Sequence, residues 1–168
     1  DSVLGAKISK EVVLNKDFLT FENKYIMYGA PGKNAWDGQG GFLCYTSDDL
    51  KEWTEPVKCF IPPVNFWADT NFWAPEVHFY NNKFYMFASF KSPTKCRGTQ
   101  ILVADRPDGK FAPITDLPAT PPDWECLDGT LYIDKKGIPY MVFCHEWRQI
   151  GNGTICFARL SEDLTHFV

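Results

Sequence analysis

The sequence predicts an all-β chain of the β-propeller class that covers about two and a half to three blades. Three observations carry this prediction. Met27, Met86 and Met141 fall in register, 59 and then 55 residues apart, inside Asn23-Lys24-Tyr25-Ile26-Met27-Tyr28-Gly29, Asn82-Lys83-Phe84-Tyr85-Met86-Phe87-Ala88 and Gly137-Ile138-Pro139-Tyr140-Met141-Val142-Phe143. Each segment is followed by a loop and another strand: Gly41-Phe42-Leu43-Cys44-Tyr45-Thr46, Thr99-Gln100-Ile101-Leu102-Val103-Ala104 and Gly153-Thr154-Ile155-Cys156-Phe157-Ala158. Aromatic residues make up 16% of the chain, and with 12 Gly, 12 Pro and no long segment of helical period they favour strands.

An innermost strand is expected before each repeated segment: Asp17-Phe18-Leu19-Thr20-Phe21, Glu76-Val77-His78-Phe79-Tyr80 and Gly129-Thr130-Leu131-Tyr132-Ile133. Polar turns at Asn81-Asn82-Lys83 and Asp134-Lys135-Lys136-Gly137 send the chain back as hairpins. Two of the third strands end alike, in Ser47-Asp48-Asp49-Leu50-Lys51-Glu52-Trp53 and Ser161-Glu162-Asp163-Leu164-Thr165-His166-Phe167, while the middle copy has Asp105-Arg106-Pro107-Asp108-Gly109-Lys110-Phe111. The copies place blade one at about 12–58, blade two at about 70–115 and blade three from about 125, incomplete at Val168. The competing architecture is an open meander or sandwich with coincidental self-similarity. Fewer than three complete copies fall short of the roughly four blades that close a propeller, so closure is expected to need the remaining blades or another chain.

Lys plus Arg number 17 against 21 Asp plus Glu, a net charge of −4, with no basic run to track a phosphate backbone; nucleic acid is not an expected partner. No apolar run approaches the ~20 residues that cross a bilayer, so no membrane partner is expected, and Asp1-Ser2-Val3-Leu4 lacks the basic and apolar regions of a signal peptide. A soluble protein, cytoplasmic or secreted with its leader removed, is consistent with this. The six cysteines show no CxxC pairing, and Cys44, Cys144 and Cys156 lie in apolar strands where buried thiols are expected. Asn152-Gly153-Thr154 fits a glycosylation sequon and also an ordinary hairpin loop.

Neighbouring strands of a blade run antiparallel, so the end of the second returns to the face where the first began. One end of the axis should therefore gather Lys16-Asp17, Trp73 to Glu76 and Asp128 with the loops Asn34-Ala35-Trp36-Asp37, Ser89-Phe90-Lys91 and His145-Glu146-Trp147. Carboxylates in an aromatic-walled depression suit glycosidic bond cleavage, in which one acid protonates the leaving oxygen and a second carboxylate activates water or attacks carbon. Asp17 and Asp128 are the candidate catalytic groups. Trp73, Glu76, Trp36, Phe90, His145, Glu146 and Trp147 are the candidate sugar contacts. Structural readings stand beside these: a turn dipeptide for Asp128-Gly129, a strand-leading charge for Asp17, backbone capping for Glu76 and core packing for Trp73. His145 and Glu146 make no metal-binding spacing with His78 and His166.

Trp73-Ala74-Pro75-Glu76-Val77 with its aromatic hairpin, and Leu127-Asp128-Gly129-Thr130-Leu131-Tyr132-Ile133-Asp134 followed by Gly137-Ile138-Pro139-Tyr140, resemble glycoside hydrolase family 43. Phe143-Cys144-His145-Glu146-Trp147 and Trp124-Glu125-Cys126 are similar to a bacterial branch of it. The resemblance covers nearly the whole chain and implies a five-bladed propeller among β-xylosidases, α-L-arabinofuranosidases and arabinanases. It implies an inverting hydrolase of arabinose- or xylose-containing plant polysaccharides, with an Asp as general base, a second Asp that tunes and orients the general acid, and a Glu in a later blade as that acid. Asp128 matches the tuning Asp, and Trp73 the tryptophan that lines the sugar pocket.

The chain departs from the family pattern in two ways. The opening motif, Arg-Asp-Pro followed by an aromatic, is represented by Asn15-Lys16-Asp17-Phe18, so the base position stays open between Asp17 and Lys16. Overlaying the inner strands puts Asp128 opposite Pro75 and Lys16. The acid-bearing motif is expected beyond Val168, so these 168 residues alone are expected to be incomplete and inactive, with Glu146 a weak substitute. No cofactor is expected, although a structural calcium on the propeller axis is compatible with the resemblance. The alternatives are a non-catalytic carbohydrate-binding propeller and a fragment that assembles with another chain.

Overall fold

A computed structural model describes residues 24–31 and 40–168. Its strands are β1 Tyr25–Gly29, β2 Phe42–Ser47, β3 Val57–Phe60, β4 Thr70–Tyr80, β5 Lys83–Ser92, β6 Lys95–Ala104, β7 Ala112–Pro113, β8 Cys126–Ile133, β9 Pro139–His145 and β10 Thr154–Arg159, with one short helix, α1, at Trp147–Ile150. They form three sheets in chain order, β1-β2-β3, β4-β5-β6-β7 and β8-β9-β10, every pairing antiparallel. The all-β blade architecture read from the repeat is the one the chain adopts. The inner strand expected over 17–21 lies outside the described residues, as do Lys16, Asp17 and Trp36.

The turns explain the meander. Asn81 and Asn82 both take positive φ, 46° and 60°, giving a tight two-residue hairpin from Tyr80 to Lys83. In blade three the Asp134 carboxylate accepts the N–H groups of Lys136 and Ile138, each at 2.8 Å, around Gly137 at φ 80°. The two similar strand ends build matching turns: Leu50 and Leu164 stand at φ 65° and 62°, and Ser47 and Ser161 accept nearby backbone N–H groups.

Blade two is covered on both faces. Phe84, Met86, Ala88 and Phe90 join Ile26, Tyr28, Phe42 and Phe60 of blade one in one core. Tyr85 and Phe87, of opposite parity on the same strand, join Cys126, Met141 and Phe143 of blade three in another. This accounts for the unbroken apolar run of β5, which a strand wet on one side would not show. Strand β8 lies against β5 and β6, and β1 against β4.

Two expectations need correction here. Residues 89–91 were expected in a loop, yet β5 runs on to Ser92 because Ser89 pairs with Thr99 and Phe90 with Gly98. All six cysteines are free, but only Cys44 of the three expected to be buried is so; Cys144 and Cys156 are half-buried, on the middle strand and an edge strand of the third sheet. No helix among the described residues is long and apolar enough to cross a membrane.

Candidate active site

The strands that lead into the site are not regular. In β4 the register with β5 shifts between Thr70 and Trp73 and again between Trp73 and Glu76, and in β8 it shifts between Leu127 and Thr130. Asn71, Ala74 and Asp128 sit at these shifts with φ of 52°, 46° and 53°. Such bulges re-aim side chains at strand ends, and Asn and Asp are the ordinary residues that tolerate a left-handed backbone best.

The strand pairing corrects the repeat alignment. Val77 pairs with Met86 and Leu131 with Met141, so Asp128 corresponds to Ala74, not Pro75, and Thr130 to Glu76. Ala74 and Asp128 share the left-handed conformation, which confirms their equivalence.

Ser89 ties the two leading motifs together. It is the cross-strand partner of Trp73, and its hydroxyl accepts the Asp128 N–H at 3.0 Å. The next residue, Gly129, donates its N–H to Thr99 Oγ1 at 3.2 Å. Trp73 is half-buried and Asp128 exposed, and Ser89 brings their two backbones together at one blade end.

A cluster of charge lies behind them. Arg97, buried on β6, is centred 4.5 Å over the Trp73 ring, pairs with Glu146 and donates to Asn71 Oδ1 at 3.1 Å. Its backbone N–H donates to Glu125 Oε2 at 2.9 Å, while Lys91 pairs with the other oxygen of Glu125. Burial works against the Glu125 carboxylate, but the Lys91 and Arg97 hydrogen bonds and charges outweigh it and hold its pKa below the usual range. Burial also lowers the Arg97 pKa, against the pull of Glu125 and Asp128; a guanidinium keeps its proton all the same.

The remaining candidates divide. Glu76, three residues along β4 from Trp73, places Oε1 3.3 Å from His78 Nε2, a nitrogen also 3.3 Å from Thr130 Oγ1. His145 is buried, stacked on Trp124 at 4.3 Å and 9°, with Nε2 2.6 Å from Gln149 Oε1. Trp147 opens α1 and is 64% exposed, beneath the Arg148 guanidinium. Phe90 was expected to touch sugar but is fully buried among Phe42, Phe60, Phe66 and Phe72, meeting Phe72 edge-on at 4.9 Å; it is core. Glu146 was also placed among the sugar contacts, yet its carboxylate is buried against Arg97 and is taken up there. Arg97 and Asn71 were missed by sequence reasoning, and Trp124 was noted there only for its resemblance. Arg97 stands in the polar stretch from Lys91 to Gln100, where nothing in the sequence singles it out. Among the described residues no three His, Cys, Asp or Glu side chains group so as to hold a metal ion.

The antiparallel sheets and the Trp73 and Asp128 motifs they bring to one end agree with what sequence comparison finds. The family described as "Glycosyl hydrolases family 43" matches residues 15–168, and the chain belongs to that family. It is 27% identical over 120 residues to the extracellular endo-alpha-(1->5)-L-arabinanase 1 of Bacillus subtilis (strain 168), an alignment of 66% of this chain and 37% of that protein. Among solved structures it resembles an endo-arabinase from Bacteroides thetaiotaomicron VPI-5482, with TM-score 0.78 and 38% identity over 86% of this chain and 49% of that one. An endo-1,4-beta-xylanase from the same organism superposes with TM-score 0.73 and 26% identity over 99% of this chain and 50% of that one. The chain thus spans about half the length of these solved relatives, and less of the Bacillus protein.

Proposed function

We propose that the protein is a glycosidase of arabinose- or xylose-containing plant polysaccharides or oligosaccharides, working by inversion. The observation that supports this is the joint seating of Trp73 and Asp128 on Ser89, a tryptophan and an acidic residue at one blade end within a chain of this family. Two of the similar proteins are named for arabinan cleavage and one for xylan cleavage, and the substrate class follows them.

In this reading the flat Trp73 ring receives the apolar face of a pentose. Asp128 stands by as a fixed negative charge: a like charge nearby raises the pKa of the general acid and keeps it protonated until it donates to the leaving oxygen. That acid comes from sequence outside these 168 residues. Water is activated from the opposite side by the group at the base position, where Asp17 is chemically competent and a charged Lys16 is not.

The test is Asp128→Asn in the full protein. Asn keeps the shape and tolerates φ 53°. Hydrolysis of aryl arabinofuranosides, aryl xylosides or arabinan should fall by about a hundredfold or more, with oligosaccharide affinity held within about threefold. Undiminished turnover in Asp128→Asn, or a folded wild type inert on all three substrates, would sink the proposal; the second result would leave a carbohydrate-binding propeller.

A further inference from the structure

We infer that Arg97 is a positioning residue: it clamps blade two to blade three so that the Trp73 indole is held in fixed relation to Asp128. The inference rests on the carbohydrate reading for what Trp73 binds, but not for how Trp73 is held.

Arg97 is 6% exposed, and a buried guanidinium is costly unless its charge and its N–H groups are matched. The match here comes from both blades. Asn71 and Trp73 belong to β4 of blade two, whereas Glu125 precedes β8 and Glu146 follows β9 of blade three. The Nε–H is buried with no hydrogen-bond acceptor among the described residues, which leaves the indole as the electron-rich surface beside it. One face of Trp73 is therefore occupied by protein, and a sugar ring is restricted to what remains.

The clamp also reaches Asp128. Glu125 stands three residues before Asp128, and Ser89 holds the Asp128 N–H from the strand that pairs with Trp73. Ser89 and Arg97 thus span the same gap at two points, the second through a rigid planar fork. Lysine would supply the charge but neither the fork nor the stacking plane. Fixing the ring before the sugar arrives removes an ordering cost from binding.

The test uses the full chain labelled with 5-fluorotryptophan, the Trp73 fluorine resonance being identified by its loss in Trp73→Phe. Arg97→Lys should shift and broaden that resonance while leaving in place the resonance of Trp53, which follows β2 in blade one; Glu146→Gln, which leaves the arginine and removes the charge of one anchor, should do so to a lesser degree. With arabino- and xylo-oligosaccharides as probes, Arg97→Lys should weaken binding about tenfold in the wild type and by less than about twofold in Trp73→Ala, because the effect passes through the ring. A purely structural arginine would lower affinity equally in both backgrounds. Equal losses, or a Trp73 resonance indifferent to both Arg97→Lys and Glu146→Gln, would overturn the inference. A wild type that binds neither sugar while its Trp73 resonance still answers to Arg97→Lys would overturn the carbohydrate reading and leave the clamp standing.

Discussion

A thiol reacts as its thiolate, so burial that penalises the charge also silences the nucleophile. Cys44, Cys59 and Cys126 are buried, and burial first, with neighbouring thiols adding to it for Cys44 and Cys126, pushes each up to about 12. A raised thiol pKa means the proton stays on at neutral and mildly alkaline pH. Cys96 and Cys156 are half-buried and keep contact with solvent. Brief alkylation of the native protein at about pH 8, read by peptide mass spectrometry, should mark Cys96 and Cys156 and spare Cys44, Cys59 and Cys126 until denaturant is added. Early labelling of Cys44 or Cys59 would show that the core between blades one and two opens readily. Phe90 makes the same point about burial with a different side chain. Its parity with Phe84, Met86 and Ala88 sets it in that core, whereas Trp73, carried on a bulged strand, is left half out.

At the level of the strand, the bulge at Asp128-Gly129 is held by contact as much as by conformation. A Cβ on Gly129 would stand 2.6 Å from Thr99 Cγ2, against the side chain whose hydroxyl receives the Gly129 N–H. Gly137 is the contrasting case: its φ is 80°, but open space surrounds it. Gly129→Ala should therefore cost about 1–3 kcal/mol by overpacking and pull Asp128 from Ser89. Gly137→Ala should cost about 1 kcal/mol, from the left-handed backbone alone. Urea denaturation of the two variants decides between these origins, and a Gly137→Ala loss larger than that of Gly129→Ala would contradict them. The hairpins on either side were legible in the sequence, since the methionine register and the turn residues Asn81, Asn82 and Gly137 fix a strand's partner. The bulges were not. An inserted residue leaves no mark in composition, and the matching of Asp128 to Pro75 has a separate source in the turns: two residues separate Tyr80 from its partner Lys83, whereas five separate Ile133 from Pro139. Arg97 and Glu146 were hidden for a related reason: they are 49 positions apart, and each alone looks like a surface charge until folding pairs them.

For the molecule as a whole, the three sheets differ in what covers them. Blade two is packed on both faces, whereas blade three turns Met141 and Phe143 toward blade two and presents Tyr132, Tyr140, Ile155 and Phe157 on its other side. Tyr140 and Phe157 stack at 4.5 Å and 14°, and Tyr132, Ile155 and Phe157 are 48%, 73% and 58% exposed. Contiguous apolar surface of this kind on a described sheet is where association begins in water. The solved relatives are about twice as long as this chain, so in them further sequence is available to meet such a face. A preparation of the 168 residues by themselves should accordingly bind an apolar reporter dye and associate as concentration rises. Ile155→Lys with Phe157→Lys should reduce both while leaving the melting temperature within a few degrees, because neither side chain belongs to the core between blades two and three. Dye fluorescence and sedimentation velocity on the same samples would separate the outcomes. Unchanged dye binding after the double substitution would place the sticky surface elsewhere, and a collapse of the melting temperature would show that these two side chains support the third sheet itself.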